Sequence, residues 1–426
     1  MVDDAPAGRA PADGLPSGRE VLADRTVRSF LVAATVASLG SMLQAAALAK
    51  QLYDITDSEL ALGLLGLAEF LPAALLVAVT GSVADRFDRR KVAAIGLVGE
   101  GICSALLAWY ALGDPTSAIP IYGLALAFGA SRAFVSPSVR SIPPLIGPAG
   151  GLPRLVALYS VTWQFGLIVG PASSGFLYDV DAAVPYLVAV TMFVTASAAV
   201  LSLRLSRPQH RTPASERPSF HHAMEGLRFV RGNPVLLGAI ALDLFAVLFG
   251  GAVALLPAIA EDRLGVGNVA YGWLRAAPGI GAVFVTLLLA VRPVQRRVGR
   301  VLLVSVGVFG VATIVFGLTT SYAVAFGALL VLSGVDAISV FIRATIVPLA
   351  TPDEMRGRVM AVENVFIGAS NELGAFESGV TAHLLGVAPA VVLGGVLTCV
   401  VVGIWWTRFT ELRDIDRFQD LYSHDP

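Results

Sequence analysis

The chain has 426 residues, of which 56% are hydrophobic and 14% are charged, and its formal net charge is −1 at pH 7. A soluble protein of this length could not bury so large an apolar fraction in a core, so the excess must face lipid. The composition therefore excludes an ordinary soluble domain, and we expect a lipid bilayer rather than nucleic acid as the partner.

The predicted elements begin after a polar, proline-rich segment, residues 1–24, which has no apolar signal sequence and is predicted to be disordered. Apolar stretches of about 20 residues, each long enough to cross about 30 Å of hydrocarbon, then recur along the chain. They predict twelve membrane spans, at 28–49, 59–80, 91–112, 118–139, 155–178, 184–203, 234–257, 269–290, 300–319, 323–345, 358–385 and 388–407.

The spans predict an all-α membrane protein of two pseudo-symmetric six-helix bundles, residues 25–203 and 234–407. A segment rich in arginine, proline and serine, residues 204–233, is the predicted linker between them. A polar tail follows at 408–426, and its last part, 415–426, is predicted to be disordered.

An internal repeat supports the two-bundle prediction. Arg154 and Gly170 in the first half match Arg358 and Gly374 in the second, at an offset of about 204 residues. Duplicated membrane bundles place a substrate site between two halves that rock about it, as many secondary transporters do.

The distribution of basic residues predicts the orientation. If the even-numbered loops and both termini lie on one side, that side carries most of the 30 Lys and Arg residues, while the other carries only Lys50 and Arg263. Because positive loops stay inside, we expect a multi-pass protein of the inner (cytoplasmic) membrane with both termini in the cytoplasm.

Sites for enzyme chemistry are not evident in the sequence. It contains no Gly-x-x-x-x-Gly-Lys phosphate loop and no His-Glu-x-x-His motif, so we expect no catalytic residues, no cofactor and no enzymatic activity. Cys103 and Cys399 lie in spans of different halves without the spacing of metal ligands, and we expect no metal site.

Charged residues inside the predicted spans are the first candidates for function. They are the acids Glu69, Glu100, Asp243, Asp336, Glu363, Glu372 and Glu377 and the bases Arg132, Arg275 and Arg343. Each costs about 2.5 to 3.5 kcal/mol at the bilayer centre unless paired, hydrated or neutralised, so they should face the protein interior.

The acids outnumber the bases, so some carboxyl groups must be protonated, exposed to cavity water or paired with a cation. For Asp243 and Glu69, a role in proton coupling or substrate binding and a structural ion pair both stay open. For Arg132 and Arg275, the alternative is neutralisation of a neighbouring acid.

The segment after the second span reads Gly-Ser-Val-Ala-Asp-Arg-Phe-Asp-Arg-Arg-Lys, residues 81–91. It resembles the signature loop of the major facilitator superfamily, although Asp88 stands where the superfamily usually has glycine. The resemblance implies a loop that latches the two halves together in the outward-facing state, through Gly81, Asp85, Arg86, Arg89 and Arg90. The equivalent basic loop of the second half, residues 292–300, lacks the aspartate and is interpreted as an anchor alone.

Three further segments, residues 255–257, 272–282 and 351–360, are similar to the branch of this superfamily that includes the enterobactin exporter. The resemblance covers residues 25–413. It implies a monomeric, proton-coupled exporter of a small molecule, either a siderophore or an amphipathic drug or antibiotic, working by alternating access. A proton-driven importer and a transport-inactive sensor or scaffold stay open as alternatives.

The fifth span places Gly166, Gly170, Pro171 and Gly175 at intervals that put small residues on one face of a bent helix, which predicts tight packing. It resembles the antiporter motif of superfamily exporters, where such packing seals the interface of the halves, although Ser174 replaces one usual glycine.

The superfamily fold implies roles for the charged residues. Cavity-lining helices favour Arg132, Asp243 and Asp336, with Gln44 as a further polar group. The interface between the halves is expected to hold Glu69, Arg275, Asn371 and Glu372. Glu100 is expected to be a local structural partner, and Arg343 and Glu363 to lie near the cytoplasmic surface in a gate network.

Overall fold

A computed structural model describes residues 17–148, 150–205 and 220–424. Its long helices are α1 Arg25–Thr56, α2 Glu59–Arg86, α3 Arg89–Ala111, α4 Ile119–Arg140, α5 Leu152–Val180, α6 Val184–Leu201, α7 Pro234–Phe249, α8 Asn268–Val291, α9 Val298–Leu318, α10 Tyr322–Leu349, α11 Asp353–Leu385 and α12 Val387–Arg408. The predicted all-α membrane fold is confirmed. Beyond α7 the chain continues through a 3₁₀ turn, Gly251–Leu255, and a π-helical turn, Ile259–Arg263.

Among the described residues, 11 helices are long and apolar enough to cross a membrane by length and composition. The exception is α11, because Glu363, Glu372 and Glu377 interrupt its 33 residues. This helix nevertheless packs against α2 and α7. Its acids therefore lie among other helices, as the cost of charge in lipid requires.

Polar caps fix where several helices begin. The Asp24 carboxylate accepts hydrogen bonds from the backbone N–H groups of Thr26 and Val27, which starts α1. Asn233 caps α7 in the same way, and Ser58 caps α2. These side chains satisfy backbone donors that have no partner in the first turn of a helix.

The two halves pack by the same scheme. In the first, α1 lies against α5 and α6, and α3 against α4 and α6; in the second, α9 lies against α10 and α12. The halves meet at two related pairs of helices, α5 with α8 and α2 with α11.

We call the end with the odd-numbered loops the outer end, following the charge-based prediction. There, one continuous hydrophobic core includes Leu52 and Tyr186 of the first half and Leu255, Tyr271 and Phe316 of the second. At the inner ends the halves have separate cores, one from α1, α3 and α6 and one from α9, α10 and α12. The halves are therefore joined at the outer end.

The segments beyond the bundles differ from the predicted disorder. Gly18–Ala23 forms a helix that buries Val21, and Phe418–His424 forms a 3₁₀ helix whose Phe418 ring lies 6.2 Å from that of Phe341. Val21 and Phe418 pack against the bundle, although the residues next to them in the sequence are mostly polar. Residues 1–16, 206–219 and 425–426 lie outside the described residues.

The predicted linker contains a further helix, Phe220–Gly232, which packs against α11. An ion pair of 2.6 Å joins Glu225 of this helix to Arg358. The end of the linker is therefore attached to the second half.

Candidate functional site

Polar contacts close the outer end across the two halves. The ammonium group of Lys50 on α1 donates to Glu261 at 2.8 Å and also contacts Asp54 one turn away. Tyr53 on α1 donates its hydroxyl to Asp262. Because Glu261 and Asp262 lie in the π-helical turn, this irregular segment supplies the second half's side of the closure.

Glycines bring helix backbones together at the same end. A Cβ atom at Gly175 of α5 would lie 2.4 Å from the carbonyl oxygen of Asn268, and one at Gly272 of α8 would lie 2.7 Å from that of Pro171. On the other side of the interface, a Cβ at Gly379 of α11 would lie 2.7 Å from the Cα of Gly63. Larger side chains would separate the halves here.

The small-residue face of α5 serves two different interfaces. Gly166 and Gly170 pack α5 against α1 within the first half, where added Cβ atoms would lie 2.1 Å from Ser38 Oγ and 2.7 Å from Met42 Cβ. Pro171 and Gly175 instead pack α5 against α8 across the halves.

A cavity of about 560 Å³ lies between α5, α8 and α10, and we call it the inter-half cavity. Its walls are mainly apolar, and Gln164, Thr286 and Asp336 supply polar groups. The lining on α8 reaches Ala290, next to the inner end of that helix. With the outer ends joined and the cavity toward the inner ends, the arrangement is the one called inward-facing under the charge-based orientation.

The second half contains a buried ion pair. Arg343 Nη2 lies 2.6 Å from Asp243 Oδ1, and the two residues are only 4% and 6% exposed. Arg343 Nε also donates to Ser339 Oγ at 3.3 Å. The guanidinium of Arg343 neutralises Asp243, a partner that was not predicted, and its expected place near the cytoplasmic surface stays a prediction.

Asp243 consequently does not line the inter-half cavity. Asp336 does, and it also lines a small void shared with Asp243 and Ser339. Glu363, expected near the surface, is 6% exposed and experiences the charges of Arg343 and Asp243. Asp336 and Glu363 therefore experience the charge of Arg343 without contacting it directly, and Asp336 is the acid that faces the cavity.

A second charged group lies where α2, α4, α8 and α11 approach each other. The carboxylate of Glu69 experiences the charges of Arg132 and Arg275. The carboxylate of Glu372 experiences the charges of the same two arginines and of Glu69. A Cβ at Gly66, one turn from Glu69, would lie 3.2 Å from Glu372 Oε2. Acids from opposite halves thus lie near each other across the interface.

The bonding of this group is incomplete in the part of the chain that the structure describes. Arg275 donates to the backbone oxygen of Val253 at 3.3 Å, and no direct ion pair among the described residues joins Glu69, Arg132, Arg275 and Glu372. Asn371 is exposed and donates to Ile367 O of its own helix at 2.8 Å.

A separate cavity of about 140 Å³ lies inside the first half, and we call it the N-terminal cavity. Ser38, Glu100, Arg132, Tyr159 and Trp163 are among its lining residues. Glu100 is 2% exposed. It was expected to be a local structural partner, and no sequence signal indicated that it borders a cavity.

Gln44 was expected to be a polar group of the transport cavity. Instead it is 1% exposed, and its side-chain oxygen accepts a hydrogen bond from Ser104 of α3. The expectation was wrong because the polar face of α1 at this level is buried against α3.

The predicted signature loop is mostly helical. α2 continues through Arg86, so only Phe87 and Asp88 separate it from α3. Among the described residues nothing would lie within 4 Å of a Cβ at Gly81, so none of them approaches closely there in this conformation. The side chain of Asp85 lies outside the part of the chain that the structure describes.

Asp88 has a definite structural role. Its carboxylate caps α3 by accepting from the Arg90 backbone N–H at 3.0 Å, and it pairs with the Arg90 guanidinium at 2.8 Å. That hydrogen bond lowers the pKa of the Asp88 carboxyl. Arg90 also donates to Leu203 O beyond α6 at 2.6 Å, and Arg89 donates to Ser141 O beyond α4 at 3.0 Å. Both arginines thus hold helices of the first half, and a latch to the second half stays a prediction.

Comparison with known proteins gives consistent results. Residues 18–425 match the model of the family described as transmembrane secretion effector. The chain is 27% identical over 412 residues to the multidrug efflux pump Tap of Mycolicibacterium fortuitum, covering 91% of this chain and 96% of that one. It is 23% identical over 376 residues to macrolide efflux protein A of Streptococcus pyogenes, covering 86% and 91%.

Among solved structures, a bacterial homologue of the human lysosomal transporter Spinster, inward-facing and unoccupied, superposes with a TM-score of 0.71. The match has 13% sequence identity and covers 91% of this chain and 96% of that one. At this identity the likeness concerns the fold alone.

Proposed function

This chain belongs to the transmembrane secretion effector family of major facilitator transporters, and we propose that it exports small amphipathic molecules across the cytoplasmic membrane in exchange for protons. The observation that carries the proposal is the inward-facing cavity of about 560 Å³, which has apolar walls and one carboxylate, Asp336. Its volume lies within the range of pockets that hold drug-sized ligands. The matched multidrug and macrolide efflux pumps support the export direction.

The cavity favours some cargoes over others. Apolar walls attract the hydrophobic part of an amphipath, and the Asp336 carboxylate attracts a positive charge. A catecholate siderophore is anionic and would meet repulsion there. We therefore propose cationic or neutral amphipathic drugs and antibiotics as cargo of this cavity, with siderophores as the less favoured class.

Alternating access follows from the contacts between the halves. Cargo enters the inward-facing cavity, and the outer end must then open by separating Lys50 from Glu261 and Tyr53 from Asp262. The paired interfaces of α5 with α8 and α2 with α11 allow the halves to rock as rigid units. In this scheme the transporter works as a monomer with both termini in the cytoplasm.

Proton coupling is assigned to the acids at the interface. Glu69 and Glu372 come from opposite halves, and two nearby carboxylates repel each other when both are ionised. A proton bound by the pair relieves this repulsion and favours contact between α2 and α11. Release of the proton favours separation of these two helices. Asp243 is a weaker candidate because Arg343 already neutralises it.

Two other functions use the same fold. An importer would load its cargo from the outer end and needs the same gates, so the direction of transport must be measured. A transport-inactive sensor would not need a cavity that reaches the inner end of α8. The pumping relatives favour export over both.

Ethidium accumulation tests the proposal in bacterial cells that lack their own drug pumps. We expect the wild-type chain to lower ethidium accumulation, and Glu372→Gln to abolish the effect. Glu377→Gln is the matched control, because this acid lies on the same helix and accepts a hydrogen bond from Thr381 at 2.8 Å. Accumulation at or above that of cells without the transporter would contradict export.

A further inference from the structure

The export cycle proposed above assigns no ligand to the N-terminal cavity. It is lined by α1, α3, α4, α5 and α6 of the first half. Helix α5 lies between it and the inter-half cavity, since Trp163 lines the former and Gln164 the latter. Its volume of about 140 Å³ is close to that of an engineered cavity known to hold one benzene ring. The space therefore fits a single aromatic ring.

The charges around this cavity favour an anion. Two arginines, Arg132 and Arg140, line it together with one carboxylate, Glu100. The position that the repeat offset of about 204 residues pairs with Arg132 is Asp336, which lines the inter-half cavity. The duplicated position therefore carries opposite charges in the two halves, and the two cavities differ in the group they attract.

One residue of the cavity lining has a buried hydrogen-bonding group without a partner among the described residues. Ser38 is 8% exposed, and its hydroxyl has no hydrogen-bond partner among the described residues. A buried hydroxyl without a partner costs free energy, which a ligand oxygen would recover. Tyr159 and Trp163 add aromatic walls against which a ring can pack.

We propose that the N-terminal cavity binds an aromatic ring that carries an acidic group, as in an aryl carboxylate. Arg132 pairs with the carboxylate, Ser38 donates a hydrogen bond to it, and Trp163 contacts the ring. The assignment rests on the proposed export function, since the ring is a group of an exported molecule.

Replacing the Glu100 carboxylate should change anion binding in a direction that distinguishes the proposal from a structural role. A negative charge at Glu100 opposes a bound anion, so its neutral isostere should bind the anion more tightly. A merely structural role for Glu100 would instead weaken binding or leave it unchanged. Arg132→Gln should weaken binding of the anion by about tenfold, because it removes a charge-assisted hydrogen bond.

Salicylate binding to the purified full-length protein in detergent, followed by quenching of tryptophan emission, tests the assignment without any transport. We expect saturable quenching by salicylate, none by benzylammonium, and loss of the signal in Trp163→Phe. Arg132→Gln should weaken binding, Glu100→Gln should strengthen it, and Glu377→Gln should leave it unchanged.

Equal binding of salicylate and benzylammonium would overturn the proposal, as would weaker or unchanged binding in Glu100→Gln. If Arg132→Gln fails to fold, Glu100→Gln and Ser38→Ala still test the proposal. Glu100→Gln should strengthen salicylate binding, and Ser38→Ala should weaken it. Because these measurements use no gradient, salicylate binding without efflux would refute export alone, and efflux without salicylate binding would refute this site alone.

Discussion

The ammonium group of Lys50 donates a 2.8 Å hydrogen bond to the carboxylate of Glu261, which joins α1 of the first half to the π-helical turn of the second. Lys50 is 8% exposed and also contacts Asp54 on its own helix. A cation held between two acids of different halves must release one of them when the outer ends separate. This ion pair therefore stabilises the inward-facing state.

Lys50→Met should increase the outward-open population. An ion pair with one partly exposed partner contributes about 0.2 to 1 kcal/mol, so the expected shift is up to about fivefold. Spin labels on Asp181→Cys and Gly267→Cys, at the outer ends of α5 and α8, would report it as a longer distance by pulsed electron resonance. Lys50→Arg keeps the charge and is the control; an unchanged distance distribution in Lys50→Met would refute the role.

Gly175→Ala should destabilise the closed outer end. The new Cβ would lie 2.4 Å from Asn268 O, and such overpacking costs about 1 to 3 kcal/mol. Gly123→Ala is the matched control within α4, since nothing lies within 4 Å of its Cβ position. Thermal unfolding in detergent should show a lower melting temperature for Gly175→Ala only, and equal melting temperatures would show that the contact is not tight.

Asp243→Asn should destabilise the second half strongly. Removing one partner of a buried pair takes from Arg343 its direct ion-pair partner, at a cost of about 3 to 5 kcal/mol. The double variant Asp243→Asn with Arg343→Gln removes both charges and should recover much of the loss. Thermal unfolding of the wild type, the two single variants and the double variant measures the coupling energy between Asp243 and Arg343. Additive effects of the two substitutions would mean that the pair does not act as a unit.

Asp88→Asn should lower stability at neutral pH by up to about 1 kcal/mol, because asparagine can still cap α3 but cannot form the ion pair with Arg90. The folded pKa of Asp88 is lowered by its hydrogen bond with Arg90. Its ionised form therefore stabilises fully above the ordinary pKa of about 3.9, and the stabilisation is lost as pH falls through the folded pKa.

Thermal unfolding of the wild type and of Asp88→Asn at pH values from about 3 to about 7 measures this pH dependence. The difference in melting temperature should be constant near neutral pH and should shrink below about pH 4. A difference that stays constant to the lowest pH would show that the carboxylate charge contributes nothing.

Much of the fold could be predicted because spans depend on local hydropathy and length. The prediction extended even to α11, although Glu363, Glu372 and Glu377 make it the least apolar of the long helices. The end of α2 was placed too early, because Gly81 and the charged residues after it resemble a loop but continue as helix to Arg86.

Partners within the bundle could not be predicted in the same way. Asp243 and Arg343 lie on helices far apart in sequence, and only packing of α7 with α10 shows that they pair. Glu100 was expected to be a local structural partner, and its place beside the N-terminal cavity was not predicted. Hydropathy does not show which face of a uniformly apolar helix is internal.

Proton flux in reconstituted liposomes tests the central claim most directly. With an imposed pH gradient and a pH-sensitive dye inside, ethidium addition should release protons through the wild type and through Glu377→Gln. Glu69→Gln and Glu372→Gln should bind ethidium without moving protons. Ethidium transport with no proton movement, or equal flux in all four proteins, would contradict proton-coupled export through the acids at the interface of the two halves.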